Sequence, residues 1–190
     1  MNEREGAKLC AFCRTPCAES GEENVKRNKI LMEKGNVDAY YQLAGYYVQG
    51  NNGLPQDWAK ANELYVKAGE LGCAGAYYNL GCSYNIGTGV EIDMKKAKHY
   101  YELAAMNGCV VARQNLGCVE GLAGNHHRAT KHFLLAARAG HYKALDMVKK
   151  GFMGRAVTKE EYSQALRAYQ KRHDEMKSDT RDKAANIYER

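Results

Sequence analysis

The pattern of apolar and small positions along the chain repeats four times. A glycine is followed four residues later by an alanine, starting at Gly35, Gly72, Gly108 and Gly140. These glycines lie 37, 36 and 32 residues apart. In each copy a Leu or Val follows the alanine by four residues, which is the spacing of one face of a helix. We interpret this segment as helix A of a repeated unit.

The second half of each unit also repeats when it is counted backwards from the next glycine. An alanine lies eleven residues before that glycine, an aromatic residue seven before and another alanine four before. These residues are Ala61, Tyr65 and Ala68; Ala97, Tyr101 and Ala104; and Ala129, Phe133 and Ala136. Such steps form the apolar stripe of a second helix, helix B. Neither helix can bury its stripe alone, so the pattern predicts an all-α fold, an α-α superhelical solenoid of stacked helical hairpins.

A glycine-rich connection joins the two helices of a unit. Residues 49–57 and 85–93 both contain glycines, then an apolar residue, then an aspartate directly before helix B. We predict that Asp57 and Asp93 are helix N-caps. In the third unit the connection is four residues shorter than in the second, and we expect both of its helices to form nonetheless.

The second unit resembles the Sel-1-like repeat, a relative of the tetratricopeptide repeat with a longer, glycine-containing loop between its helices. The residues that carry the resemblance are Gly72, Ala76, Leu80, Gly81, Tyr84, Gly87, Gly89, Asp93, Ala97, Tyr101 and Ala104. The resemblance covers residues 35–172 and departs from the pattern in the third unit, at the loop and at Glu120. It implies a superhelical scaffold that holds other proteins.

The repeats divide the chain into three parts. Residues 1–19 form an N-terminal segment, residues 20–172 the solenoid and residues 173–190 a charged C-terminal tail that is a frayed helix or disordered. Within the solenoid we expect a capping helix at 20–34 and units near 35–71, 72–107, 108–139 and 140–172. Ser20 and Glu23 have the spacing of a capping box, which favours a helix start at this point.

A cysteine pattern in the N-terminal segment has the spacing of a metal knuckle. Cys10 and Cys13 are separated by two residues, and Cys17 follows. Such thiolate pairs bind zinc. The string resembles the last ligand pair of a RING finger, although Ala11 stands where that family commonly has proline. A RING finger needs eight ligands, and no Cys or His precedes Cys10 in this chain.

Two interpretations remain open for this chain alone: the three thiols bind one zinc ion, with water or a distant residue as the fourth ligand, or the segment is metal-free. Because the RING ligand set is incomplete, either the given sequence is the C-terminal portion of a longer RING-type zinc-binding ubiquitin-ligase component, or the knuckle is a remnant. In the longer protein we expect this segment to help recruit a ubiquitin-conjugating enzyme while the repeats select substrate. Only then would it serve in an enzyme, because the sequence has no nucleophile elbow or P-loop.

The spacing of the remaining cysteines and of the histidines indicates no metal site or catalytic site. Repeat equivalence relates Cys73 to Cys109 and Cys82 to Cys118, so we expect all four to be buried as small apolar residues. His126, His127 and His132 are expected to belong to a solvated loop.

Composition and charge narrow the class of function further. The net charge is +6, from 28 Lys and Arg against 22 Asp and Glu, and no nucleic-acid motif accompanies it. We therefore expect no nucleic-acid partner. No apolar window spans a bilayer and the first residues lack the pattern of a secretory signal, so we expect no membrane partner and a cytoplasmic, or else nuclear, protein.

The repeat register also predicts a binding surface. Gln42, Asn79 and Asn115 each lie three residues after the repeated alanine, and Tyr46 and Ser83 lie one helical turn later. In solenoids of this type helix A lines the concave surface. Because each amide offers donors and an acceptor, a row of amides is suited to the backbone of an extended peptide. We expect an adaptor that binds a protein or an extended peptide on this face.

Overall fold

The computed structural model describes residues 20–188, with side chains to residue 177. This part of the chain contains nine helices: α1 (Gly21–Glu33), α2 (Val37–Gln49), α3 (Trp58–Glu70), α4 (Ala74–Ile86), α5 (Met94–Met106), α6 (Val110–Leu122), α7 (His126–Arg138), α8 (Tyr142–Met153) and α9 (Lys159–Tyr188). No strand occurs in it. The all-α prediction is confirmed.

The helices form four consecutive hairpins. Unit 1 consists of α2 and α3, unit 2 of α4 and α5, unit 3 of α6 and α7, and unit 4 of α8 and α9. Each helix packs mainly on its neighbours in the sequence, and α7 packs additionally on α9. Because contacts join only adjacent units, the architecture is the predicted superhelical solenoid, and α1 packs on its first helix.

The ends of the helices follow local rules. The Asp57 carboxylate accepts from the backbone N–H of Lys60, and Asp93 accepts from Lys95 and Lys96, so both predicted N-caps are confirmed. Gly72 at the turn between units has φ +97°. Only glycine adopts this conformation without strain, which explains why the turn that starts each unit carries one.

The loops inside the units differ in what they cover. In unit 2, Gly89 lies so close to Trp58 that an added Cβ would be 2.6 Å from its backbone carbon. This loop therefore covers the start of α3. In unit 3 only residues 123–125 separate α6 from α7. Both helices form there, as predicted, but the loop has no residue that corresponds to Gly89.

Small residues let the helices approach each other in the core. Ala76, Ala112 and Ala144 are completely buried. The rings of Tyr101 and Phe133 lie over Gly81 and Gly117 respectively, and in both cases an added Cβ would come within 2.5 Å of ring carbons. The repeated Gly and aromatic positions of the sequence are thus one contact between helices A and B of the same unit.

The first helix lies where the capping box predicted it, whereas the last helix extends beyond the predicted end of the solenoid. Helix α1 begins at Gly21, with the Ser20 hydroxyl accepting from the Glu23 backbone N–H at 3.2 Å. Helix α9 continues past Arg172 to Tyr188 without a break. No helix in the described residues is both long and apolar enough to cross a membrane.

Candidate functional site

The structure places the predicted amides at one register on successive A helices. Gln42 lies on α2, Asn79 on α4 and Asn115 on α6, and the first is exposed while the other two are half-buried. We call these three residues the amide row. Met147 occupies the corresponding position on α8. The row is therefore polar over three units and becomes apolar in the fourth.

Asn79 meets two tyrosines of the preceding unit. Its amide Nδ2 donates to the Tyr41 hydroxyl at 3.4 Å, and its side chain is within hydrogen-bonding reach of Tyr65. The two tyrosine rings are themselves packed with centroids 5.6 Å apart. Tyr41 is 37% exposed, so the group is accessible from one side.

Asn115 repeats this arrangement one unit later. Its side chain is within hydrogen-bonding reach of Tyr78 and Tyr101, whose ring centroids lie 6.1 Å apart. The Tyr101 hydroxyl also donates to Cys82 Sγ at 3.5 Å. Two equivalent junctions between units thus combine one amide with two phenols. Repeat register predicted the amides, but the tyrosine partners appear only in the structure.

These tyrosines are neutral hydrogen-bonding groups. Burial, together with the nearby Tyr41 hydroxyl, raises the pKa of Tyr65 to about 12. Burial and the Cys82 thiol raise the pKa of Tyr78 to about 12 and that of Tyr101 further still. Phenols that stay protonated at neutral pH both donate and accept. The site can therefore bind polar groups, and it lacks an ionised nucleophile or base.

The two other residues predicted for this face differ from the amides. Ser83 is 4% exposed, and its hydroxyl donates to Asn62 Oδ1 at 2.7 Å. Asn62 in turn donates to the Thr88 carbonyl. The Ser83 hydroxyl therefore belongs to a buried link between α3, α4 and the unit 2 loop, which leaves little of this side chain exposed for a partner. Tyr46 is half-buried and packs against the hydrophobic core of unit 1.

An apolar groove replaces the amide and phenols at the junction of units 3 and 4. Phe133 stands where Tyr65 and Tyr101 stand in the other units, and it has no hydroxyl. The groove has a volume of about 500 Å³. Its lining residues are Gly117, Cys118, Gly121, Leu122, His126, Ala129, Thr130, Phe133, Met147, Lys150, Gly151 and Ala156. We call it the unit 3–4 groove.

Several substitutions relative to the other units open this groove. The short loop after α6 supplies no apolar residue equivalent to Leu54 or Val90, and Gly121 has only the Ala129 Cβ, at 3.8 Å, near the position of an added side chain. Leu122 is 86% exposed. Cys118 is exposed as well, so the expectation that it is buried is wrong. Its equivalent, Cys82, is half-buried against Tyr101.

An ion pair with a buried carboxylate joins α6 of unit 3 to α5 of unit 2. Glu120 is 3% exposed. Its carboxylate pairs with Lys98 Nζ at 2.6 Å and accepts from Asn125 Nδ2 at 2.7 Å. These hydrogen bonds lower the pKa of Glu120 against the opposing effect of burial. The sequence marked Glu120 only as a departure from an aromatic position, because a partner 22 residues away has no local signature.

The histidines do not assemble into a metal site. His126 and His127 are exposed at the start of α7, His132 is half-buried with an unpartnered Nδ1, and His141 Nδ1 accepts from the Ala144 backbone N–H. Within the described residues no group of three or more metal-ligating side chains occurs. The predicted zinc ligands Cys10, Cys13 and Cys17 lie outside the described residues.

Comparison with solved structures agrees with this architecture. A Sel1 repeat protein from Oxalobacter formigenes superposes with a TM-score of 0.69 at 23% identity, covering 80% of this chain and 64% of that one. A protective antigen of uropathogenic Escherichia coli with the SLR fold gives 0.70 at 24% identity, covering 83% of this chain and 35% of that one. The chain thus spans less than two thirds of either protein, and the likeness concerns the fold.

Comparison with sequences gives the family. No curated protein matches the chain, but the Sel1 repeat model matches residues 37–73, 74–109 and 111–141. These segments cover more than half of the chain and correspond to units 1 to 3. The Sel1 repeat is a scaffold fold for protein–protein interaction. By its repeats, its loops and its helix register, this chain belongs to the Sel1 repeat family.

Proposed function

We propose that the protein is an adaptor that binds an extended peptide segment of another protein along the amide row. The observation that carries this proposal is the recurrence of one amide per unit at the same register, on three successive A helices. In a solenoid such positions lie along one continuous surface. An extended peptide presents its backbone groups at regular intervals, so a regular row of amides suits it.

The phenols explain how the amides are positioned. Asn79 and Asn115 each meet two tyrosines, which limits the rotamers that the amides adopt, and less entropy is then lost on binding. Each amide retains hydrogen-bonding capacity for a ligand, because a primary amide has two donors and two acceptor sites. The role of this face as the concave binding surface is part of the proposal.

The test compares two double variants. Asn79→Ala with Asn115→Ala should weaken capture of a displayed random 12-residue peptide pool about tenfold, since each lost hydrogen bond contributes roughly 0.5–1.5 kcal/mol. The control is Asn51→Ala with Asn107→Ala, which removes two exposed amides outside the row. Thermal unfolding checks that both variants remain folded. Equal capture by the two variants would refute the peptide-binding row.

The cysteine pattern supports a second candidate function. Cys10, Cys13 and Cys17 have the spacing of zinc ligands, and we propose as the alternative that the chain is part of a RING-type ubiquitin ligase whose repeats select substrate. Zinc content per purified chain, compared with a Cys10→Ser, Cys13→Ser variant, tests the zinc site. About one zinc lost in the variant is expected; no zinc in either protein refutes binding by this chain.

A further inference from the structure

The unit 3–4 groove lies at the end of the amide row, in line with it. Met147 lines the groove and occupies the register of Gln42, Asn79 and Asn115. A peptide that follows the row therefore reaches the groove. The groove is lined by residues of α6, α7 and α8, among them Phe133 and Ala129 of α7.

The groove is suited to apolar side chains. Its volume of about 500 Å³ is within the range of roughly 300–1,000 Å³ that is typical of ligand pockets. Leu122, at 86% exposure, stands at its edge. Large apolar side chains that insert into such pockets contribute most of the binding energy of many interfaces.

The stretch of chain that contains α7 and α8 is basic. Between His126 and Arg155 the sequence contains seven Lys and Arg residues and one acid, Asp146. This excess of six equals the net charge of +6 of the whole chain, so the remainder of the chain is balanced. The helices α7 and α8 thus carry the basicity of the protein.

One of these basic residues, Lys150, lines the groove, and its lining residues include no carboxylate. The first turn of α7 has no acidic residue, and His127 and Arg128 are exposed there. The N-terminal end of a helix also carries a partial positive charge. Asp146 pairs with Lys150 at 2.8 Å with both side chains more than half exposed, and such a surface pair is weak.

We infer that the unit 3–4 groove binds a large apolar side chain of an acidic peptide segment, whose carboxylates contact the basic residues of α7 and α8. This inference rests on the proposed peptide-binding function and specifies its ligand. Charge complementarity selects the acidic flank, and the apolar lining selects the side chain between the acids. A nucleic acid would use the charge alone and leave the groove empty.

Gly121→Leu is the variant that tests the groove. Residue 121 has ordinary helical backbone without positive φ, and its added Cβ would meet only Ala129 at 3.8 Å. The leucine therefore adds an apolar side chain at a residue that lines the groove, and its Cβ meets no close contact. Thermal unfolding checks that the variant remains folded. Its matched control is Ala139→Leu, which adds leucine at an exposed residue of the α7 C-cap outside the groove.

A second pair of variants tests the charge. Lys150→Glu reverses the charge of a lining residue, and Lys149→Glu makes the same change on the adjacent exposed residue, which does not line the groove. We expect Lys150→Glu to reduce binding of acidic peptides at least threefold more than Lys149→Glu does. Equal effects would show general electrostatic attraction and refute the specific contact.

The experiment selects peptides from a displayed library of random 12-residue sequences on the full chain. We expect the enriched peptides to contain a large apolar residue flanked by Asp or Glu, and to bind Gly121→Leu at least tenfold more weakly than Ala139→Leu. Enriched peptides without this pattern, or equal binding to the two variants, overturn the inference. So does single-stranded RNA that competes with the peptides and binds both variants equally.

The amide-row variant separates the two proposals. If Gly121→Leu weakens binding of the selected peptides while Asn79→Ala with Asn115→Ala does not, the groove proposal is supported and the amide-row proposal is refuted. The reverse result leaves the row and refutes the groove. If no peptide is enriched on the wild-type chain, both proposals fail together.

Discussion

The junctions between units 1 and 2 and between units 3 and 4 have the same backbone arrangement and opposite chemistry. At the first, Asn79 forms a polar group with the buried Tyr65 and the partly exposed Tyr41. At the last, Phe133 and Met147 occupy the same register and line an apolar groove. The comparison shows that a repeat fixes where side chains lie, while individual substitutions decide what each junction can bind.

The largest expected effect tests how tightly helices A and B of one unit are packed. Gly81→Ala should lower the free energy of unfolding by about 2–3 kcal/mol, because its Cβ would lie 2.5 Å from the Tyr101 ring. Tyr101 is buried and its hydroxyl donates to Cys82, so the ring cannot move away. Urea unfolding measures the difference.

Gly117→Ala should lower the free energy of unfolding by less, about 1 kcal/mol. The reason is not the distance, because its Cβ would be equally close to the Phe133 ring. Phe133 borders the groove and can shift into it. The control is Gly45→Ala, which meets nothing within 4 Å and should stabilise helix α2 by about 0.5–1 kcal/mol. Equal losses at residues 81 and 117 would show that the groove does not relieve overpacking.

The ion pair between units 2 and 3 gives the next largest expected effect. Lys98→Met should lower the free energy of unfolding by about 2 kcal/mol at pH 7, because it leaves the Glu120 carboxylate buried beside Asn125 alone. Adding Glu120→Gln should recover about half of this loss, since the buried charge is then removed. A double-mutant cycle with no coupling would refute the pair.

The raised pKa of Tyr65 predicts a smaller change in the free energy of unfolding, which depends on pH. Burial raises the pKa of Tyr65 to about 12, whereas an unfolded tyrosine titrates near 10. Below pH 10 both states hold the proton. As pH rises from about 10 to 12 the unfolded state loses it first, so stability falls by up to ~2 kcal/mol.

Tyr65→Phe should remove this part of the alkaline instability, and it gives the junction the ring that unit 3 has at Phe133. Ellipticity at increasing urea concentrations, at pH 9 and pH 11.5, measures the change. The control is Tyr142→Phe, which changes an exposed phenol on α8. The same alkaline loss in wild type and Tyr65→Phe would contradict a raised Tyr65 pKa.

The smallest expected effect concerns the helix N-caps. Asp93→Ala should lower the free energy of unfolding by about 1 kcal/mol, because its carboxylate accepts from two backbone N–H groups of α5. Helix α7 is different: its N-cap Asn125 makes no side-chain cap bond and donates to Glu120 instead. Asn125→Asp should therefore destabilise by placing two carboxylates together, although aspartate is a good N-cap. Thermal unfolding of the two variants checks this contrast.

The sequence by itself determined the architecture of the protein. Glycine, alanine and aromatic residues at a fixed register specify the helices, and aspartates before helix B specify two of their starts. These signals are local or recur at the repeat period, so they can be read without knowing the partner of any side chain. The amide row was predicted in the same way, from register alone.

Only the tertiary structure decided how these positions function together. Ser83 is buried against Asn62, and the pairing of Lys98 with Glu120 explained a residue that broke the pattern. The groove likewise depends on residues of three helices and on a loop too short to cover them. Such contacts join residues that are distant in sequence, and their energies depend on burial, which repeat register does not specify.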